Sequence, residues 1–260
     1  MGHTRLRYLP KTHRWNAVVG LLDASPGDTA AIATATTRAA ERRLRELRDD
    51  PSIGYCFWIL TRISAASREP EFKASLAELG LAVRSDDTAL SFVTRLTRHV
   101  QERLADFPES GPFGDLASLA LRGALSDTVG QSGRSLFGSS LEDVQDAFRG
   151  HSTPVRFGIL AKCYFGDFLA RTLRYYVERE VANTTGGGHA LASDEDGRAF
   201  TEALDRYTRQ TARIMETFAA DWYSKRNWQS EGRISREEAQ GFVAVALKKL
   251  RADLSYARPW

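Results

Sequence analysis

The sequence has few cysteines and no long apolar segment, and each absence excludes a class of protein. Cys56 and Cys163 are the only cysteines among 260 residues, and each lies in an apolar stretch. A secreted scaffold held by disulfides needs more, so we expect two free thiols in a reducing compartment. The longest strongly apolar run covers residues 55–60, whereas a membrane-spanning helix needs about 20 such residues. Since residues 1–5 also lack the apolar core of a signal peptide, we expect a cytoplasmic protein without a transmembrane segment.

Motifs for metal binding and nucleophilic catalysis are also missing. No two of the five histidines have ligand spacing on one helix, and neither cysteine has a CxxC partner. The sequence contains no HExxH, GxSxG or Walker-type phosphate loop. We therefore predict no catalytic residue, no metal site and no cofactor. Cys163 is interpreted as a small buried apolar residue, with a thiol nucleophile as the alternative.

Excess charge of either sign is absent from most of the chain. The net charge is +3, yet four of the 36 basic residues and none of the 33 acidic ones lie in residues 1–22. The rest of the chain, with 32 basic and 33 acidic side chains, has a net charge of −1. A nearly neutral body does not attract polyanions by its overall field, so contact with nucleic acid or a membrane would need a local patch.

What is present is helical periodicity. Apolar residues recur with a period near 3.6, and no convincing alternation of period 2 exceeds about four residues. Residues 53–66 are apolar nearly all round, which indicates a central buried helix, and residues 153–182 form the strongest helical pattern. Residues 194–228 are predicted as one long helix, on which Glu202 and Asp205 face solvent. The fold prediction is an all-α, irregular bundle of about nine or ten helices without a substantial sheet.

Two segments rich in glycine interrupt these helices. Residues 130–140 are interpreted as an interhelical loop between a helical half at 15–129 and another at 141–260, which could also form one continuous domain. Within this loop, residues 129–136 resemble the GXXG loop of KH modules, but those modules need a sheet that the pattern does not predict. Residues 183–189 are interpreted as a surface linker, with a mobile lid carrying His189 as the alternative.

Candidate binding residues combine basic and aromatic side chains in two places. The first is a basic N-terminal arm at residues 1–14, and the second is the segment 222–236. The last residue, a tryptophan, is a further candidate as an anchor for a protein partner. The candidates are Arg5, Arg7, Tyr8, Lys11, Arg14, Trp222, Lys225, Arg226, Trp228 and Trp260. Such pairs can stack on bases and contact phosphates, but they can equally dock on protein or pack inward at a helix end.

These observations leave three functional hypotheses. The first is an interaction or structural subunit of a larger cytoplasmic assembly, with protein partners or self-association. The second is a helical nucleic-acid-binding protein that uses the arm and residues 222–236. The third is an enzyme whose site is assembled from scattered residues, around Cys163 or His189, and a deep polar pocket with two or more titratable groups would favour it.

Overall fold

The computed structural model describes residues 13–23, 29–82, 84, 87–107, 111–129, 141–183, 191 and 193–256. These residues form eleven α-helices and one 3₁₀ turn at Leu47–Asp49, with no β-strand among them. The prediction of an all-α fold is therefore confirmed. The helices are α1 (His13–Asp23), α2 (Thr29–Glu46), α3 (Pro51–Ala66), α4 (Phe72–Glu78), α5 (Ala89–Leu104), α6 (Pro112–Val129), α7 (Leu141–Arg149), α8 (Pro154–Asn183), α9 (Asp194–Thr211), α10 (Ile214–Gln229) and α11 (Arg236–Tyr256).

Local sequence signals fix where several helices begin. At α3, Pro51 occupies the first turn and the Asp50 side chain accepts a hydrogen bond from the Ser52 amide at 3.0 Å. Proline suits this position because its missing N–H would have no helical partner. At α11, the Ser235 hydroxyl accepts from the Glu238 amide, and the Glu238 carboxylate accepts from the Ser235 amide. This reciprocal capping box defines the start of the last helix.

The single helix expected over residues 194–228 is wrong in one respect, because α9 and α10 are separate. At the junction the Arg213 amide donates to Gln210 and the Met215 amide donates to Ala212, so the bonds span three residues instead of four. Just before it, the Thr208 hydroxyl donates to the carbonyl of Leu204, a bond that bends helices. The bend lets both helices pack against α8.

The core is built around α8, which contacts α6, α9 and α10. Beside it, Phe57 of α3 stacks on Phe242 of α11 with 4.8 Å between ring centroids and contacts Phe157 and Phe165 of α8. The buried hydroxyl of Tyr164 donates to the carbonyl of Ile53 at 3.1 Å. One continuous apolar cluster runs from α1 to α11 and includes helices from both predicted halves.

Several predicted features lie outside the described residues. They are the loop at 130–140, with its GXXG sequence, and His189 in the second glycine-rich segment. Within the described part of the chain, no helix combines the length and apolar character needed to cross a bilayer.

Candidate functional site

Trp228 is the most exposed large apolar side chain among the described residues, at 83% exposure. It lies in the last turn of α10, where the Gly232 amide donates to the Asn227 carbonyl at 2.9 Å and closes the helix end. Glu231 and Gly232 follow in the left-handed region, with φ of 50° and 81°. A left-handed glutamate costs about 1 kcal/mol, and such strain occurs preferentially at functional sites. The helix that carries Trp228 therefore ends in a strained turn.

An open groove of about 1260 Å³ lies beside Trp228. The end of α3 and the following turn form one side of the groove, and the last turns of α10 form the other. Tyr223 is fully buried at the groove and stacks on Phe157, with ring centroids 4.0 Å apart. Its hydroxyl oxygen and Oδ1 of Asn227 are buried without a hydrogen-bond partner. Each such atom costs about 1–3 kcal/mol of folding free energy. Both atoms are shielded from solvent, so they do not face the open space of the groove.

The charges around this groove are mixed. Arg226 contacts the Glu238 carboxylate at 3.2 Å, which ties the end of α10 to the start of α11. Arg68 on the α3 side and Glu231 on the α10 side are both exposed, and neither has an ion-pair partner in the described part of the chain. Burial raises the pKa of the Tyr223 hydroxyl, while the charge of Arg68 acts in the opposite direction. Tyr223 is thus a neutral hydroxyl that can donate or accept a hydrogen bond.

The four candidate residues of segment 222–236 have different environments. Trp222 is half-buried and packs on Phe242, with ring centroids 4.5 Å apart, so it belongs to the aromatic core. Lys225 is exposed, whereas Arg226 is half-buried and engaged by Glu238. Further along, Arg236 lies over the ring of Trp58 at 4.7 Å and is held on the protein surface. Of the four, Arg226 and Trp228 line the groove.

Of the candidate binding residues outside segment 222–236, the structure describes Arg14, which does not line this groove. Arg14 is exposed on α1, and its guanidinium donates to the Arg38 carbonyl on α2 at 3.2 Å. Arg5, Arg7, Tyr8, Lys11 and Trp260 lie outside the described residues.

A second groove, of about 810 Å³, lies where α6, α8 and α9 meet. Its walls carry charged side chains, and Cys163 and Gly166 of α8 lie between them. Asp205, expected to face solvent, is instead partly covered and bonded to Arg174 of α8 at 2.9 Å. The expectation was wrong because α9 turns this face toward α8. Glu202 is exposed, as expected.

Cys163 itself is half-buried in this second groove. Burial raises the pKa of its thiol, Lys162 and Arg209 lower it, and Asp127 and Glu216 raise it further. The net effect keeps the sulfur protonated at neutral pH, whereas a cysteine nucleophile needs a lowered pKa. The groove therefore has the titratable groups that the enzyme hypothesis expects, but the Cys163 thiol does not have the lowered pKa of a nucleophile.

Sequence reasoning missed the two unpartnered polar groups and the charged groove. Tyr223 and Asn227 are four residues apart on α10, a spacing that places both on one face. The spacing of Arg206, Arg209 and Arg213 is a similar signal. Arg209 follows Arg206 by three residues and Arg213 follows Arg206 by seven, and residues at these separations lie on one face of a helix. The partner helices that complete each groove are far away in sequence, so this spacing alone could not locate either site.

The described residues offer no candidate metal site, and no similar protein indicates a function. The described residues contain no group of three or more His, Cys, Asp or Glu side chains placed to hold a metal ion. The chain matches no known protein-family model, and neither a curated protein nor a solved structure matches it.

Proposed function

We propose that this protein is a structural or interaction subunit of a protein assembly and that it associates through the surface around Trp228. The observation that carries the proposal is the 83% exposure of the Trp228 side chain beside a large groove. Exposing an indole to water is unfavourable, and tryptophan is the residue type most enriched among side chains that dominate binding energy. Cytoplasmic residence is part of the proposal, since both cysteines are free and need a reducing compartment.

The partner that we assign to this surface is a second copy of the same chain. A twofold interface requires a self-complementary patch, in which groups on opposite sides of the axis meet each other. The Trp228 surface has a protruding indole beside a groove, and it has Arg68 on one side and Glu231 on the other. Across a twofold axis through the groove, Arg68 of each copy meets Glu231 of the other.

Contacts in segment 222–236 favour protein over nucleic acid as the partner. Trp222 is packed on Phe242 and cannot stack on a base, while Arg226 and Arg236 are engaged by other side chains. These contacts leave Lys225, Trp228 and Arg233 as the exposed basic and aromatic residues of the segment. Lys225 and Arg233 alone give few phosphate contacts, so binding of nucleic acid through this segment would be weak and abolished by salt.

Sedimentation velocity over a wide range of protein concentration tests the proposal. We expect the wild type to form a dimer and Trp228→Ala to remain monomeric. Trp228→Phe should lie between them, because phenylalanine keeps an aromatic ring but lacks the indole N–H. Val245→Ala is the matched control, because Val245 is an exposed apolar residue at 44% on another helix. It should dimerise like the wild type.

Charge reversal tests the arrangement of the two copies. Arg68→Glu and Glu231→Arg should each weaken the dimer, because each places like charges opposite one another. An equimolar mixture of the two variants should form a heterodimer, since glutamate then faces arginine at both contacts. A wild type that stays monomeric at every concentration, or a Trp228→Ala variant that dimerises normally, would disprove the proposal.

A further inference from the structure

The charged groove between α6, α8 and α9 has the dimensions of a small-molecule site. Its volume of about 810 Å³ falls within the roughly 300–1,000 Å³ of typical ligand pockets. The groove is separate from the Trp228 surface and shares no lining residue with it. Any ligand here would act independently of the association proposed above.

The basic side chains of this groove fall into two groups. The five are Lys162, Arg171, Arg206, Arg209 and Arg213. Two are neutralised, because Lys162 contacts Glu216 at 2.5 Å and Arg171 contacts Asp167 at 2.9 Å. The other three are exposed and have no carboxylate partner in the described part of the chain.

These three arginines line the same groove. Arg206 and Arg209 are three residues apart on α9, so their Cβ atoms are about 5–6 Å apart. Arg213 follows at the junction of α9 with α10. Guanidinium groups bind phosphates through pairs of parallel hydrogen bonds, and three of them in one groove fit a ligand with more than one anionic oxygen group.

Acidic side chains in the groove show what else the ligand should contain. Two of the four are engaged, Asp167 by Arg171 and Asp205 by Arg174. The remaining two, Asp127 and Glu202, have no ion-pair partner in the described segments. A free carboxylate only accepts hydrogen bonds, so a ligand that contacts it must present a donor such as a hydroxyl group. Carboxylates hold ribose hydroxyls in this way in dinucleotide-binding folds.

We propose that this groove binds a phosphorylated small molecule that also carries hydroxyl groups, as nucleotides and sugar phosphates do. The phosphates contact Arg206, Arg209 and Arg213. The hydroxyl groups donate to Asp127 and Glu202. Cys163 of α8 lies between the charged walls, and the bound molecule covers its sulfur.

Binding is tested first on the wild-type protein with a neutral maleimide, because Cys163 reports whether the groove is occupied. Cys56 is fully buried, so only Cys163 should react in the native protein. ATP, ribose 5-phosphate and inorganic tripolyphosphate are compared at constant ionic strength, and at least one should slow the labelling of Cys163. Protection by ATP alone indicates a nucleotide, and protection by ribose 5-phosphate a sugar phosphate. Equal protection by all three indicates recognition of phosphate alone and rejects the role of the carboxylates.

Calorimetric titration of variants then assigns the contacts. Arg209→Gln should weaken binding of the protecting ligand about tenfold, because it removes one charge-assisted contact. The triple variant Arg206→Gln, Arg209→Gln and Arg213→Gln should abolish binding. Glu202→Gln should weaken ATP or ribose 5-phosphate and leave tripolyphosphate unchanged. Arg98→Gln removes an exposed arginine of α5 outside the groove and should bind like the wild type.

Two results would overturn the proposal. One is an unchanged rate of Cys163 labelling with all three probes at concentrations that saturate typical nucleotide sites. The other is protection that the triple variant retains in full. Because labelling needs no substitution, the first result is decisive even if a variant fails to fold.

Discussion

The two sides of α8 differ in how they pack against the neighbouring helices. Toward α10 and α3, the helix meets aromatic rings at stacking distance, and Gly158 brings its backbone against the backbone of α10. Toward α9, the helix borders an open groove and is joined to α9 by the ion pair Arg174–Asp205, and a side chain at Gly166 would be in near-normal contact with Ala212. One side thus supplies apolar burial and stability, and the other leaves charge and volume available.

This difference predicts where substitutions are costly. Apolar burial contributes about 25 cal/mol per Å² and depends on close packing. Partly exposed ion pairs contribute at most about 1 kcal/mol each, because water screens them. A protein can therefore change the α9 side of α8 at little cost in stability, and a ligand site is best placed there.

The largest effect is expected from Phe57→Ala on the aromatic side. Phe57 contacts five other aromatic rings, from α3 into α8, α10 and α11, and its removal leaves a cavity in the centre of the core. We expect the free energy of unfolding to fall by about 4 kcal/mol. Urea denaturation followed by circular dichroism measures it.

Val245→Ala serves as the control for the Phe57 substitution, because Val245 is exposed and should change stability by less than about 0.5 kcal/mol. If Phe57→Ala does not fold, Phe57→Leu keeps most of the volume and should cost about 1 kcal/mol. A loss below about 1 kcal/mol for Phe57→Ala would show that the aromatic side is not the main source of stability.

A smaller effect is expected from Gly158→Ala, which tests the close contact of α8 with α10. The new methyl group would collide with the carbonyl of Glu216, a backbone atom that cannot move without displacing α10. We expect a loss of about 2 kcal/mol, measured by the same denaturation. Gly241→Ala on α11 is the matched control, because nothing lies within 4 Å of the added group. It should gain roughly 0.5 kcal/mol from helix propensity, and equal effects at the two glycines would contradict the comparison.

How well the sequence predicts each side of α8 depends on how far apart in the sequence the interacting residues are. Burial of Phe157, Tyr164 and Phe168 follows from local helical periodicity, which is written in adjacent residues. Trp222 and Trp228 are six residues apart, or about 120° around a helix, so the pattern already allowed them to face different surroundings. The partner of each helix face was not predictable. Lys162 pairs with Glu216 and Arg174 with Asp205 across 54 and 31 residues, and neither choice has a local signal.

The smallest expected effect concerns the protonation of the Cys163 thiol, which lies on the α9 side of α8. Burial raises the pKa of this thiol above the usual value of 9.0, and the opposing charges of Lys162 and Arg209 are offset by Asp127 and Glu216. Only the thiolate reacts with a maleimide, so a raised pKa means a low rate at pH 7 that rises about tenfold per pH unit up to pH 9. Cys56, enclosed on the aromatic side, should stay unlabelled over the same range. A rate that levels off below pH 8 would show that the basic side chains of the groove dominate, and Cys163 would then have the low pKa that a nucleophile requires.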